Sequence, residues 1–295
     1  ANLRTYHLLR YGVPVQVAMG QTHETVHLVD WDHPEANDFA LAEEVTLRGG
    51  LERRPDIVLY LNGLAIAVLE LKRSSVEVAD GVRQLQTNQE EIFNKGFFST
   101  VQLLLAGSDA QGLRYGTIGT PEQFFVQWPD ESPDPDGGGA GALLDRPLAQ
   151  LCNRERLLDL IRHFVLFDAG HKKVPRPHQF EAVKAAQARI DRREGGVIWH
   201  TQGSGKSILM VLLAKWLLED DPDARILVIT DRDELDEQIT KVLRNAGLDS
   251  ARVSSRADLV DKLGATAPRL LCALIHKFDT TDLIGVPPPT HGRFY

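Results

Sequence analysis

Val197-Ile-Trp-His-Thr-Gln-Gly-Ser-Gly-Lys-Ser207 is the stretch whose reading decides the fold of this 295-residue chain. A short apolar run, Gly196-Val-Ile-Trp199, enters a glycine-punctuated turn, and Lys206-Ser207 opens an apolar, helix-forming segment over residues 208–218. Strand, glycine loop and helix in that order predict a phosphate-binding loop. Glycines let backbone N–H groups point inward at an anion, and the helix N-terminus adds its partial positive charge. Thr201, Gly203, Ser204, Gly205, Lys206 and Ser207 are the candidate contacts. Lys206 is expected to reach the β- and γ-phosphates of a nucleoside triphosphate, and the Ser207 hydroxyl to hold Mg²⁺. The full pattern asks for glycine at position 200, where this chain has His200.

Working outward, Ala224-Arg-Ile-Leu-Val-Ile-Thr230 reads as a buried parallel strand, and Asp231-Arg-Asp-Glu-Leu-Asp-Glu-Gln238 begins the helix after it. Residues 269–275 predict a further apolar strand, so strand, helix and strand make a parallel sheet. Upstream, Lys172-Lys-Val-Pro-Arg-Pro-His-Gln-Phe-Glu-Ala-Val183 opens a helix leading to the loop. Gln179 on it is placed to reach over the loop, where its amide pairs one donor and one acceptor with an adenine edge.

The N-terminal half carries a second cluster in Arg53-Arg-Pro-Asp-Ile-Val-Leu-Tyr-Leu-Asn-Gly-Leu-Ala-Ile-Ala-Val-Leu-Glu-Leu-Lys-Arg73. Two β-rich runs flank Asn62-Gly63, a strong hairpin signal. Alternation puts Glu70 and Lys72 on one face. A two-residue loop pairs Asp56 with Leu69 and turns it away from them. A three-residue loop, Leu61-Asn-Gly63 with Gly63 left-handed, pairs Asp56 with Val68 and returns it to their face. The longer loop is therefore expected. On one face, Asp56 and Glu70 supply hard oxygen ligands to Mg²⁺, with the Leu71 carbonyl as a third. The metal lowers the pKa of a water and screens a scissile phosphate, and Lys72 positions or deprotonates the water or stabilises the developing charge. The competing reading of Glu-x-Lys is a surface strand end carrying an ion pair.

Around these clusters, residues 13–17 and 25–29 alternate, and a helix is expected over residues 35–44 with Asn37 or Asp38 at its start. Helical spacing of Val78, Val82, Leu85 and Ile92 predicts a helix over residues 75–94, carrying Gln84 and Asn88. Residues 101–106 predict an interior strand, and residues 117–128 a peripheral segment with Phe124, Phe125 and Trp128 as packing aromatics. Asp130-Glu-Ser-Pro-Asp-Pro-Asp-Gly-Gly-Gly-Ala-Gly141 has linker composition, and residues 147–167 read as helical, with Pro147 in the first turn. His23, His27 and His33 are irregularly spaced and carry no metal-site pattern.

Composition bounds the rest. The net charge of −8 argues against a protein that coats nucleic acid by bulk positive charge, and leaves a local basic groove or a charge-supplying partner. Cys152 and Cys272 lie far apart in no ligand spacing, as reduced thiols do. No membrane-length apolar run or signal pattern is present, so a cytoplasmic location is expected.

Taken together, these residues resemble the restriction (motor) subunit of type I restriction–modification enzymes, over essentially the whole chain and in motif order. Arg54-Pro-Asp56 through Glu70-Leu-Lys72 resembles that family's PD-(D/E)xK nuclease core, so the resemblance implies cleavage roles for Asp56, Glu70 and Lys72. Gln84 matches the glutamine of the Q-x-x-x-Y motif after the core, whose tyrosine position is Asn88 here. Gln179 in Arg176-Pro-His-Gln resembles the adenine-contacting glutamine. His200-Thr-Gln-Gly-Ser-Gly-Lys-Ser207 resembles motif I of superfamily-two helicases, whose members often relax the first glycine. Asp231-Arg-x-x-Leu-Asp-x-Gln238 resembles motif Ia, and Leu274-Ile-His-Lys-Phe278 the segment following it.

The resemblance implies an α/β chain: a mixed-sheet nuclease domain over residues 1–130, a linker over 131–146 and a bridging helical segment over 147–174. A parallel-sheet RecA-like lobe, incomplete, then spans 175–295. It implies ATP and Mg²⁺ as cofactors, with double-stranded DNA and separate methylation and specificity subunits as partners. The Asp-Glu-Ala-His box, the second motor lobe and its arginine finger are not in the sequence. An N-terminal portion is therefore expected, one that binds ATP weakly without useful turnover. Arg293-Phe-Tyr295 would open the strand that carries the box. Another helicase–nuclease, of a repair or type III-like kind, and a degenerate docking module are the alternatives.

Overall fold

The computed structural model describes residues 1–49, 51–90, 92–129, 142–278 and 291–295. The linker expected over residues 131–146 and the proline run at 286–290 fall largely or wholly outside them. The chain divides into two compact units, Ala1–Val165 with His171–Pro177, and Leu166–Gly170 with His178–Tyr295.

The first unit opens with helix α1 (Asn2–Tyr11) and a small antiparallel pair, β1 (Val13–Val15) and β2 (Glu24–Val26). Its centre is a six-stranded sheet, β3 (Phe39–Glu43), β4 (Ile57–Leu61), β5 (Leu64–Leu71), β6 (Leu103–Ser108), β7 (Gly112–Gly116) and β8 (Val126–Gln127), in sequence order across the sheet. Only β5 and β6 run parallel; the other neighbours are antiparallel. A parallel pair needs a crossover, and helix α2 (Val78–Asn88) provides it. Val78, Val82 and Leu85 recur at helical spacing and pack with Val68, Leu104 and Ala106 on one face of the sheet. The N-terminal amide of α2 is capped from elsewhere, by Gln111 Oε1 at 2.9 Å from Val78 N. On the other face Ile66, Ala67 and Leu103 pack with Leu9 of α1 and with Leu157, Leu158 and Ile161. Helix α3 (Ala142–Leu151) precedes α4 (Arg154–Asp159), which carries Leu157 and Leu158, and the wide turn Leu160–Phe164 carries Ile161.

Several local expectations are corrected. Residues 35–44 hold a short 3-10 turn, Pro34–Ala36, and strand β3 instead of a helix. Five ladder pairs to β4 outweigh the local helical pattern, and Asn37 ties the turn to Asp30 instead of capping a helix. Helix α2 stops at Asn88, and Ile92 is exposed. Pro147 sits inside α3, beyond its first turn. Residues 166–173 form two short strands, β9 (Leu166–Asp168) and β10 (His171–Lys173), where helix was expected. Phe125 and Trp128 are buried as packing aromatics, but Phe124 is exposed.

The second unit contains α5 (Pro177–Asp191), α6 (Lys206–Asp220), β11 (Ala224–Thr230), α7 (Asp233–Asn245), β12 (Ala251–Arg252), α8 (Arg256–Gly264), β13 (Leu270–Leu274) and β14 (Arg293–Phe294). The strands form one sheet in the order β12-β13-β11-β14, parallel throughout. Ile226, Leu270 and Cys272 from the strands pack against Val211, Ala214 and Leu217 of α6 and Ile239 and Leu243 of α7. The expected strand over residues 196–199 is absent: these residues are not in a ladder, and Val197 and Trp199 are 89% and 91% exposed. A strand exists only through a neighbour's N–H and C=O groups, and no described strand lies beside this run.

Candidate functional sites

In the first unit the hairpin sets the site. Its loop has two residues, not three: Leu61 pairs with Leu64, and Asn62 and Gly63 both take positive φ, 50° and 79°. That is the turn whose twist matches the flanking strands. The extra residue lies in the strand. Tyr60 pairs with Ala65 and Leu59 with Ala67, so Ile66 is a bulge on β5. Beyond it Ile57 pairs with Leu69, which sets Asp56 across from Glu70 instead of Val68. The expected loop is thus corrected, while the face it was meant to explain is recovered by the bulge.

The side chains converge there. Asp56 Oδ2 accepts a hydrogen bond from Leu71 N at 2.6 Å. Lys72 Nζ lies 3.8 Å from Glu70 Oε2 and donates to Gln84 Oε1 at 2.7 Å. The structure thus gathers Asp56, Glu70, Lys72 and Gln84 at the end of β5. Leu71 joins them through its N–H.

Glu70 is fully buried, and neither carboxyl oxygen has a hydrogen-bond partner among the described residues. Burial, and next the charge of Asp56, push its pKa up to about 8, against the pull of Lys72. An enclosed carboxyl facing a second carboxylate needs either a proton or a cation. The two acids therefore fit a divalent ion, which in a two-carboxylate site takes its remaining ligands from carbonyl, water or phosphate oxygens. Among the described residues no group of three or more His, Cys, Asp or Glu side chains is placed to hold a metal ion.

In the second unit the loop before α6 has Gly203 at φ 77° and Gly205 at φ 84°. Gly205 is needed twice over, since a Cβ there would lie 2.4 Å from Gln179 Nε2. Pro177 opens α5 at a position that needs no N–H. Gln179, 4% exposed, donates to the carbonyls of Ser204 (3.0 Å) and Gly205 (3.2 Å). Lys206 Nζ donates to the carbonyls of His200 (3.2 Å) and Thr201 (2.9 Å), so its ammonium lies folded over the loop. Ser207 is the second residue of α6, in its first turn. Two left-handed glycines, a lysine over the loop and a helix start fit a polyphosphate.

Two family models match the chain: the type I restriction enzyme R protein N terminus over residues 1–124, and the SWI2/SNF2 ATPase over residues 178–289. The HindI endonuclease subunit of Haemophilus influenzae is 35% identical across 81% of this chain and 24% of its own length. The chain belongs with the type I restriction enzyme R proteins. A putative type I endonuclease subunit of Methanocaldococcus jannaschii, MjaIXP, is 28% identical over 92% of this chain and 29% of that protein. The SsaAORF53P subunit of Staphylococcus saprophyticus is 24% identical over 84% and 27%. The chain spans about a quarter of the length of these curated relatives.

Within this R-protein chain, two contributors went unread in the sequence. Gly81 on α2 faces the cluster, and a Cβ there would meet Ala106 Cβ at 3.3 Å and the Lys72 stem at 3.4 Å. A glycine inside a helix costs about 1 kcal/mol against alanine, and that cost was the available signal. His178 is the other: its Nε2 lies 3.0 Å from Ser204 O. Asn88 is 1% exposed, with both amide atoms unpartnered among the described residues, and nothing in the structure explains it. No described helix is long and apolar enough to cross a membrane.

Proposed function

We propose that the chain is the N-terminal part of a restriction subunit that cuts double-stranded DNA with Mg²⁺ and couples cutting to ATP-driven translocation, alongside separate methylation and specificity subunits. The observation that carries this reading is Glu70: a buried carboxyl without a hydrogen-bond partner among the described residues, across from Asp56 and beside a tethered lysine. Asp56 and Glu70, with the Leu71 carbonyl, hold Mg²⁺. The ion, when bound, would acidify a water and draw charge from the scissile phosphate. Lys72 stabilises the charge developing on that phosphate, and Gln84 fixes the lysine's position by accepting its hydrogen bond. Arriving phosphate is thus met by one ammonium held at a defined point, not by a mobile side chain. In the second unit Gly203, Ser204, Gly205 and Lys206 cradle the nucleotide phosphates, Thr201 lines the loop, Ser207 holds its Mg²⁺ and Gln179 meets the adenine. The residue boundaries at 130, 146 and 174 belong to the same proposal.

The test is plasmid cleavage with Mg²⁺ and ATP by a complex reconstituted from the full-length subunit and its partners. Lys72→Ala is expected to abolish cutting while ATP turnover persists, and Lys206→Ala to abolish both. Cutting that survives Lys72→Ala removes the nuclease assignment.

A further inference from the structure

The second and third residues of α5, His178 and Gln179, both bond to carbonyls of the phosphate loop. Gln179 Nε2 donates to Ser204 O and Gly205 O. His178 Nε2 lies 3.0 Å from Ser204 O, and a carbonyl only accepts, so that nitrogen carries the hydrogen. The His178 ring is held edge-on to His200, centroids 5.1 Å apart and planes at 78°. His200 occupies the place where the loop pattern has glycine, and its Nδ1 is enclosed without a partner among the described residues.

A trans peptide is planar, with its C=O and N–H pointing opposite ways. Whatever fixes the Ser204 carbonyl therefore aims the Gly205 N–H, and whatever fixes the Gly205 carbonyl aims the Lys206 N–H. The Gly205 carbonyl is also engaged by the first turn of α6, from Ile208 N at 3.0 Å and Leu209 N at 3.2 Å. Among the described residues no backbone N–H donates to the Ser204 carbonyl, and the two side chains of α5 take that place. Both flanking glycines are left-handed, so the peptide between them is free to swing unless it is held.

We propose that His178 is a positioning residue for polyphosphate: its hydrogen bond to Ser204 O, kept in line by His200, holds the Gly205 amide toward the bound phosphates. The inference rests on the nucleotide reading of this loop and deepens it. It assigns His178 to the phosphate end of the ligand and not to the base.

Calorimetric binding of inorganic tripolyphosphate, ATP and GTP to the chain tests it, with Lys206→Ala as the null-binding control. His178→Phe keeps a ring against His200 and removes the donor; His178→Gln keeps a donor at a similar reach. One neutral hydrogen bond corresponds to an affinity loss of about three- to tenfold, expected equally for tripolyphosphate, ATP and GTP in His178→Phe. His178→Gln is expected to recover most of that loss. Native affinity in His178→Phe overturns the proposal, as does a loss confined to the nucleotides, which would place His178 at the base. Failure of His178→Gln to recover binding also overturns it, since ring packing alone would then account for the loss. A native chain that binds none of the three ligands overturns the nucleotide reading itself, and the brace with it.

Discussion

A carboxyl enclosed without a hydrogen-bond partner is more stable as the neutral acid than as the anion, and Glu70 is such a group. Its pKa rises from an ordinary 4.5 to about 8 on folding. Below pH 4.5 the folded and unfolded chains both hold the proton. As pH rises from there through about 8, the unfolded chain has released it and the folded chain has not. Stability present at low pH is therefore lost across that window, by an amount on the order of a few kcal/mol. Urea unfolding in a chelating buffer between those limits is expected to show the decline, and Glu70→Gln to flatten it. At the alkaline end Mg²⁺ is expected to restore stability to the native chain and not to the variant. Parallel profiles in the two proteins would show that another group titrates. At this scale strand alternation put Glu70 and Lys72 on one face, Asp56 was assigned to it through a loop that the structure replaces with a bulge, and Gln84 came from the resemblance. His178 was not, because its role depends on a carbonyl 26 residues away that carries no side-chain signature.

Among the elements, the β4–β5 hairpin shows how a right face can follow from a wrong register. Hairpin chemistry at Asn62-Gly63 was readable, and with it the two strands. The bulge at Ile66 was not, since an apolar residue between alanines gives no sign that it stands unpaired. Helix over residues 35–44 failed for the opposite reason: local propensity was read correctly, and a ladder to β4 overrode it. The run at residues 196–199 had strand composition but no described neighbour, and composition cannot supply one. The hairpin tip carries its own prediction. Asn62 Nδ2 donates to Leu28 O (2.8 Å) and Asn37 Oδ1 (2.9 Å), and its Oδ1 accepts from Asp38 N (2.7 Å). Asn62→Gly keeps the left-handed backbone and removes all three bonds. With the side chain largely exposed, a loss of about 1–2 kcal/mol is expected in chemical denaturation. A loss near zero would mean that water replaces those bonds.

For the whole molecule the decisive quantity is charge. Thirty-three basic side chains against 41 acidic ones leave −8, in a chain whose proposed substrate carries two negative charges per base pair. Duplex affinity comes mainly from counterions released by basic side chains, and the logarithm of the binding constant falls with the logarithm of salt by about 0.9 for each phosphate neutralised. A net-acidic chain gains little by this route unless its arginines are gathered in one groove. Several described ones are already committed: Arg83 to Asp80 and Glu122, Arg252 to Asp233 and Asp236, Arg269 to three backbone carbonyls. The chain alone is therefore expected to bind duplex weakly, with a shallow salt slope of about −1 to −3. The same duplex in the reconstituted complex is expected to give a steeper slope and tighter binding, because the partner subunits then supply phosphate contacts. Fluorescence anisotropy over a salt series measures both slopes. Equal slopes for chain and complex would place the DNA-holding charge within this chain, in a basic groove that its net charge conceals.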